Sequence, residues 1–205
     1  MITDAGVLKV GDFGQARPLV AKEDSDFSHQ ISTRWYRSPE LLFGARFYTT
    51  AIDLWAVGVV LAEILHDYVL FEGRSDIEQL LMVFKKMGSP TAARFPSAAS
   101  TPDFPKICFK AMEPLPLTEI CPKADAAALE LLATILVLEP TRRATAAQAL
   151  EARFFEGPDA ARVDLATLAL ATAAARDAKN AKRSAAVESD SDEDWNQGGD
   201  WAGLG

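Results

Sequence analysis

One stretch limits this chain more than any other. From Asp53 to His66 the sequence is apolar on nearly every helical face, with Leu54, Trp55, Val57, Val59, Val60, Leu61, Ile64 and Leu65. A helix that is apolar all round has no side to give to water and must be enclosed by other elements. The run is interrupted by Glu63 and is too short to cross a bilayer, which takes about 20 apolar residues. The expectation is a helical domain built around one buried helix. The 205 residues are enough for one such domain with appendages.

Punctuation along the chain places the neighbours of that helix. Residues 75–87, 124–138 and 145–152 read as further helices. Ser75 is an N-cap candidate for the first of them, with Glu78 at the capping-box position. Between them, residues 88–122 carry proline at 90, 96, 102, 105, 114, 116 and 122, a density that excludes long helices. Residues 7–11 alternate as a short strand after Asp4-Ala5-Gly6. Residues 15–50 hold no lasting period, and a loop that long inside a compact domain is usually functional. Asp53, at the head of the apolar helix, reads as its N-cap. The domain is therefore taken as 1–157, followed by an Ala-rich helical segment over 158–186 and a disordered acidic, Gly-rich tail over 187–205.

Charge and cysteine content narrow the function classes. The net charge of -8 argues against a nucleic-acid partner held by phosphate neutralisation, although residues 188–194 carry much of that excess. Cys108 and Cys121 have no metal-ligand spacing, so free thiols in a reducing compartment are expected. No signal peptide is evident and no membrane association is expected. These features fit a cytoplasmic or nuclear protein.

The chemistry sits in an ordered set of motifs. Asp12-Phe13-Gly14 follows the short strand. Thr33-Arg34-Trp35-Tyr36-Arg37-Ser38-Pro39-Glu40 comes next, then Asp53-Leu54-Trp55-Ala56-Val57-Gly58, then Arg143. In this order they resemble the protein kinase activation segment (residues 12–40) and the helices beneath it. Leu70-Phe71-Glu72-Gly73, Ile77-Glu78-Gln79-Leu80 and Met87-Gly88-Ser89-Pro90 are similar to the cyclin-dependent and MAP kinase branch. Within it the run Phe27-Ser28-His29-Gln30-Ile31-Ser32-Thr33-Arg34-Trp35-Tyr36-Arg37, with Thr145-Ala146-Ala147-Gln148-Ala149-Leu150, resembles the cell-cycle-related kinases. Gly11, Gln15 and Ser38 are mild departures from the pattern.

The resemblance implies a partial protein kinase C-terminal lobe: mainly α, with a short N-terminal strand, a long activation segment and a Pro-rich insert. It implies ATP-dependent phosphoryl transfer to protein Ser or Thr by the intact kinase. Asp12 would ligate the Mg²⁺ that bridges the ATP phosphates, and Gly14 would let the backbone turn sharply after Phe13. Ser28 falls at the activation-loop phosphorylation site, with Arg17 as one of its arginine partners. Thr33, Arg34, Trp35 and Arg37 belong to the segment that receives the substrate residue after the phosphoacceptor, commonly proline. Glu40 and Arg143 match a buried ion pair, and Asp53 a residue that holds the catalytic loop. Partners would be protein substrates and a cyclin-like activator, with roles in the cell cycle or at the cilium.

The 205 residues contain no Gly-rich loop, no strand lysine with its helix glutamate, and no His-Arg-Asp catalytic loop. This chain alone is therefore expected to be inactive and to bind neither Mg²⁺ nor ATP usefully. The alternative is a non-catalytic, pseudokinase-like module that recruits a protein partner. In the tail, Ser189 and Ser191 each precede an acid by three residues and are candidate phosphosites, against an inert solubilising tail.

Overall fold

A computed structural model of the chain describes residues 1, 3, 7–18 and 27–156. The Ala-rich segment and the acidic tail, with Ser189 and Ser191, lie outside the described residues. Contacts divide the chain into two units, Met1–Gly11 with Pro158–Gly205, and Asp12–Gly157.

In the first unit, Met1 and Lys9 exchange backbone hydrogen bonds of 2.9 and 2.8 Å, and the Thr3 N–H donates to the Val7 carbonyl at 3.0 Å. Leu8 makes a single bridge. The strand expected over 7–11 does not extend further, and no strand forms among the described residues. Val7, Leu8 and Val10 are exposed, and a pairing without a covered face is marginal in water.

The second unit is helical. Its α-helices among the described residues are α1 (Pro39–Leu42), α2 (Ala51–His66), α3 (Asp76–Met87), α4 (Leu117–Ile120), α5 (Ala126–Ile135) and α6 (Ala146–Leu150). Helix α2 is the axis of the core. Trp55, Val59 and Ala62 are fully buried among Phe43, Phe71, Leu80, Phe84, Leu132 and Leu136. The Trp55 indole stacks on Phe71 with centroids 6.0 Å apart. Leu54 packs with Leu131 and Ile135 of α5. Gly58 permits this close approach, since a Cβ there would lie 2.8 Å from the Leu136 Cδ2. Residues 88–116 hold only 3₁₀ turns, at Pro96–Ser100 and Phe104–Lys106.

Three expectations need correction. Helix α2 begins three residues earlier than the Asp53 N-cap reading. Thr50 occupies the cap without a side-chain hydrogen bond, and Asp53 sits in the first turn. The helix is also not enclosed on every side, because Val57, Val60 and Ile64 are exposed at 54%, 44% and 69%. These three recur at helical spacing and form one stripe opposite the core face. At α3, Ser75 Oγ accepts the Glu78 N–H at 3.1 Å, but the Glu78 carboxylate reaches the Arg74 N–H instead of closing the box. The reciprocal capping box forms at α6, between Thr145 and Gln148.

Candidate functional site

The site lies along residues 12–40, and its two ends are held differently. Asp12 precedes a 3₁₀ turn, Phe13–Gln15, and has left-handed backbone angles (φ 61°, ψ 61°). Aspartate tolerates this region better than most residues, yet it remains uncommon and clusters at functional sites. The sharp turn expected of Gly14 is thus made one residue before Phe13, and Gly14 itself does not use a positive φ. Asp12 and Phe13 are exposed. Among the described residues no three His, Cys, Asp or Glu side chains gather into a metal cage.

Towards the other end, Phe27 is fastened to the loop after α1. Its N–H donates to the Arg46 carbonyl at 3.0 Å and its ring lies 5.2 Å from that of Tyr48. The Tyr48 hydroxyl donates to the Ser28 carbonyl at 2.8 Å, leaving Ser28 exposed. Arg17 and Tyr48 line one cavity of about 340 Å³ together with Phe27 and Asp53. No direct Arg17–Ser28 hydrogen bond forms among the described residues. Asp53 is exposed at the rim of this cavity.

The segment 30–37 is organised by a residue that sequence reasoning did not single out. Asp76, in the first turn of α3, accepts from Arg34 Nε at 2.7 Å, from an Arg37 terminal nitrogen at 3.2 Å and from Gln30 Nε2 at 3.4 Å. Arg34 also donates to the Arg74 carbonyl at 3.1 Å. Both arginines are therefore engaged with α3 and hold the backbone in place. Arg37, buried, further donates to the carbonyls of Ile31 at 2.9 Å and Ser32 at 3.1 Å. Ser32 has a left-handed φ of 58°. Thr33 is exposed beside it, and Trp35 is half-buried with its carbonyl bonded to Gln79 Nε2 at 3.1 Å.

Gln79 is fully buried and uses its whole amide, since it also accepts from the Gly73 N–H and donates to the Phe71 carbonyl. Tyr36 completes the seam by donating to Glu63 of α2 at 2.7 Å. Burial first, then the Glu63 hydrogen bond and charge, push its hydroxyl up to about 12, so it remains a donor. No local pattern announces the role of Asp76, because its partners Gln30, Arg34 and Arg37 lie some forty residues away in sequence. Gln79 joins near partners, Gly73 and Phe71, to the distant Trp35.

Beneath the segment, Glu40 and Arg143 form a buried bidentate ion pair at 2.6 and 2.7 Å. Arg143 donates its remaining N–H groups to the carbonyls of Val137, Leu138 and Ala51, so all its guanidinium donors are satisfied. Its guanidinium also lies 5.1 Å from the centroid of the Trp55 ring. The turn that presents Arg143 is set by buried Glu139. Burial alone would raise the carboxyl of Glu139, but hydrogen bonds from Ser97 and Thr141 outweigh it and hold it below its ordinary value.

A segment opening on Asp-Phe-Gly, ending on Ser-Pro-Glu and anchored by a buried Glu–Arg pair to a helical core defines a class of protein. The chain belongs to the protein kinase family, whose domain model matches residues 1–155. Within that family it is similar to cyclin-dependent kinases. It is 44% identical over 155 residues to cyclin-dependent kinase 20 of Mus musculus, covering 76% of this chain and 45% of that protein. The corresponding human protein is 42% identical over the same span, with the same coverage of each chain. Cyclin-dependent kinase 7 of Xenopus laevis is 43% identical over 155 residues, which cover 76% of this chain and 43% of that one. The chain spans less than half the length of these relatives.

Proposed function

We propose that these residues are the C-terminal-lobe portion of a cyclin-dependent-kinase-like protein serine/threonine kinase, carrying its metal-binding aspartate and its substrate-receiving segment. The observation that carries this reading is the Arg37 clamp on Ser32. Two carbonyls flanking a left-handed residue are turned onto one guanidinium. A substrate backbone lying against Ser32 then meets no free carbonyl, and most residues would leave an N–H unpaired there. Proline has no N–H to lose. The segment therefore favours proline directly after the phosphoacceptor, by removing an acceptor and not by adding a contact.

Asp12 supplies the other half. Its carboxylate offers one oxygen ligand, which suits Mg²⁺, an ion held by one or two carboxylates with phosphate and water oxygens completing the octahedron. When bound, Mg²⁺ with ATP would supply charge neutralisation at the phosphates. The chain's own part is to hold that carboxylate at a fixed turn and to position the acceptor peptide. The 205 residues contain no His-Arg-Asp loop to orient the substrate hydroxyl and no lysine strand, so this chain by itself does not transfer phosphate. Ser28, exposed on a fastened loop, suits phosphorylation, with Arg17 on the neighbouring cavity as a partner. The intact protein would act on protein substrates, in the cytoplasm or nucleus, with a cyclin-like activator.

The test is phosphoryl transfer from MgATP to a Ser-Pro peptide by the intact protein and by the 205-residue chain. The intact protein should be active, Asp12→Asn should lower its kcat/KM by about 10²–10³-fold, and the short chain should be inactive. Activity in the short chain, or none in the intact protein, would overturn the reading.

A further inference from the structure

Gln15 departs from the kinase pattern, and its side chain does something that pattern does not supply. Its Oε1 accepts the Ser32 backbone N–H at 2.8 Å, across seventeen positions of sequence. Ser32 is thereby gripped from both ends of the segment. Gln15 takes its N–H, while Arg37 takes its carbonyl and that of Ile31. The peptide group joining Ile31 to Ser32 is consequently fixed at its oxygen by Arg37 and at its nitrogen by Gln15. A serine at φ 58° is held against its own preference, which disfavours the left-handed region by roughly 1–2 kcal/mol. Either side chain alone leaves that peptide group free to rotate about the other bond.

Gln15 is also the last residue of the 3₁₀ turn that follows left-handed Asp12. Two of the non-glycine residues with positive φ, Asp12 and Ser32, are thus joined through one side chain and one short turn. Resting on the kinase reading above, we propose that Gln15 is a positioning residue for substrate specificity. It locks Ser32 so that the segment selects proline after the phosphoacceptor. Loss of its acceptor lets the Ile31–Ser32 peptide group turn, which returns a carbonyl to the substrate and relaxes the selection.

The experiment uses the intact protein with MgATP, a Ser-Pro peptide and its Ser-Ala counterpart, and the variants Gln15→Ala and Gln15→Glu. Glutamate keeps an acceptor oxygen at the same reach. The ratio of kcat/KM for the two peptides should fall about three- to tenfold in Gln15→Ala, the weight of one hydrogen bond. The change should come from KM, with KM for MgATP unchanged, and Gln15→Glu should restore the ratio. An unchanged ratio in Gln15→Ala with an active parent overturns this inference alone. A loss of activity on both peptides alike, unrescued by Gln15→Glu, assigns Gln15 a general structural role and also overturns it. A parent protein inactive on both peptides overturns the kinase reading and this inference together.

Discussion

Glu40 and Arg143, 103 residues apart in sequence, meet as a buried bidentate pair at 2.6 and 2.7 Å. The pair ties α1 to the turn before α6, and it does so where neither partner can be rescued by water. Removing one partner strands the other charge out of solvent. Arg143→Ala and Glu40→Ala should each destabilise the protein by about 3–5 kcal/mol, a large share of an ordinary domain's 5–15 kcal/mol. Urea unfolding of the parent and both variants measures this, and a loss below about 1 kcal/mol would show the pair to be dispensable.

Asp76 gathers Gln30, Arg34 and Arg37 at the head of α3. Its carboxylate is partly solvated, so the loss in Asp76→Ala should be modest in stability, about 1–2 kcal/mol after allowing for screening. The larger effect should be local. Residues 30–37 should become cleavable by a protease at concentrations that leave the parent intact. Limited proteolysis followed by mass spectrometry reads the sites, and cleavage spread evenly over the chain would contradict a local role.

His66 is buried against Tyr68 at 4.6 Å between rings, with its Nε2 lacking a hydrogen-bond partner. Burial first, then the Lys86 and Lys123 charges, lower its pKa from 6.5, against a small opposing effect of Asp67. The unfolded chain therefore takes up the proton before the folded one as pH falls. The stability contributed by neutral His66 is complete above about 6.5 and declines as pH drops through 6.5 towards the lower folded value. His66→Phe should flatten that decline between pH 7 and pH 5. Unfolding midpoints that fall equally in both proteins would place the acid sensitivity elsewhere.

Val57, Val60 and Ile64 form an exposed apolar stripe on α2. Each fully buried side chain of this kind is worth roughly 1.5–3 kcal/mol, so leaving three in water is a considerable loss. The 205-residue chain expressed alone should self-associate or require a partner. Replacing the three with Thr, Thr and Gln should shift it towards monomer in size-exclusion chromatography with light scattering. A parent chain that is already a cooperatively melting monomer would refute this.

Helix positions were legible in the sequence where their cause was local. Helix α3 was placed by the Ser75 cap, helix α6 falls inside the 145–152 segment read as helical, and the core position of Trp55 followed from the apolar run around it. The ordered motifs from Asp12 to Arg143 were sufficient to indicate a kinase. Cap and boundary details were less legible. Thr50, not Asp53, begins α2, because the loop before it enters the helix earlier than the apolar run does.

What only the tertiary structure decided is the use made of polar groups. Ser32 takes a left-handed backbone that its residue preference does not announce, since long-range bonds from Gln15 and Arg37 compensate the strain there. Arg34 and Arg37, read from the sequence as part of a substrate-receiving segment, both bond to Asp76, a partner the sequence does not name. Sequence records which side chains can donate and accept, whereas the folded chain alone brings a donor within 3 Å of its acceptor across tens of residues. Hydrophobic burial is written in the local pattern because it needs no particular partner. Directional bonds need one, and here that partner was found only by folding.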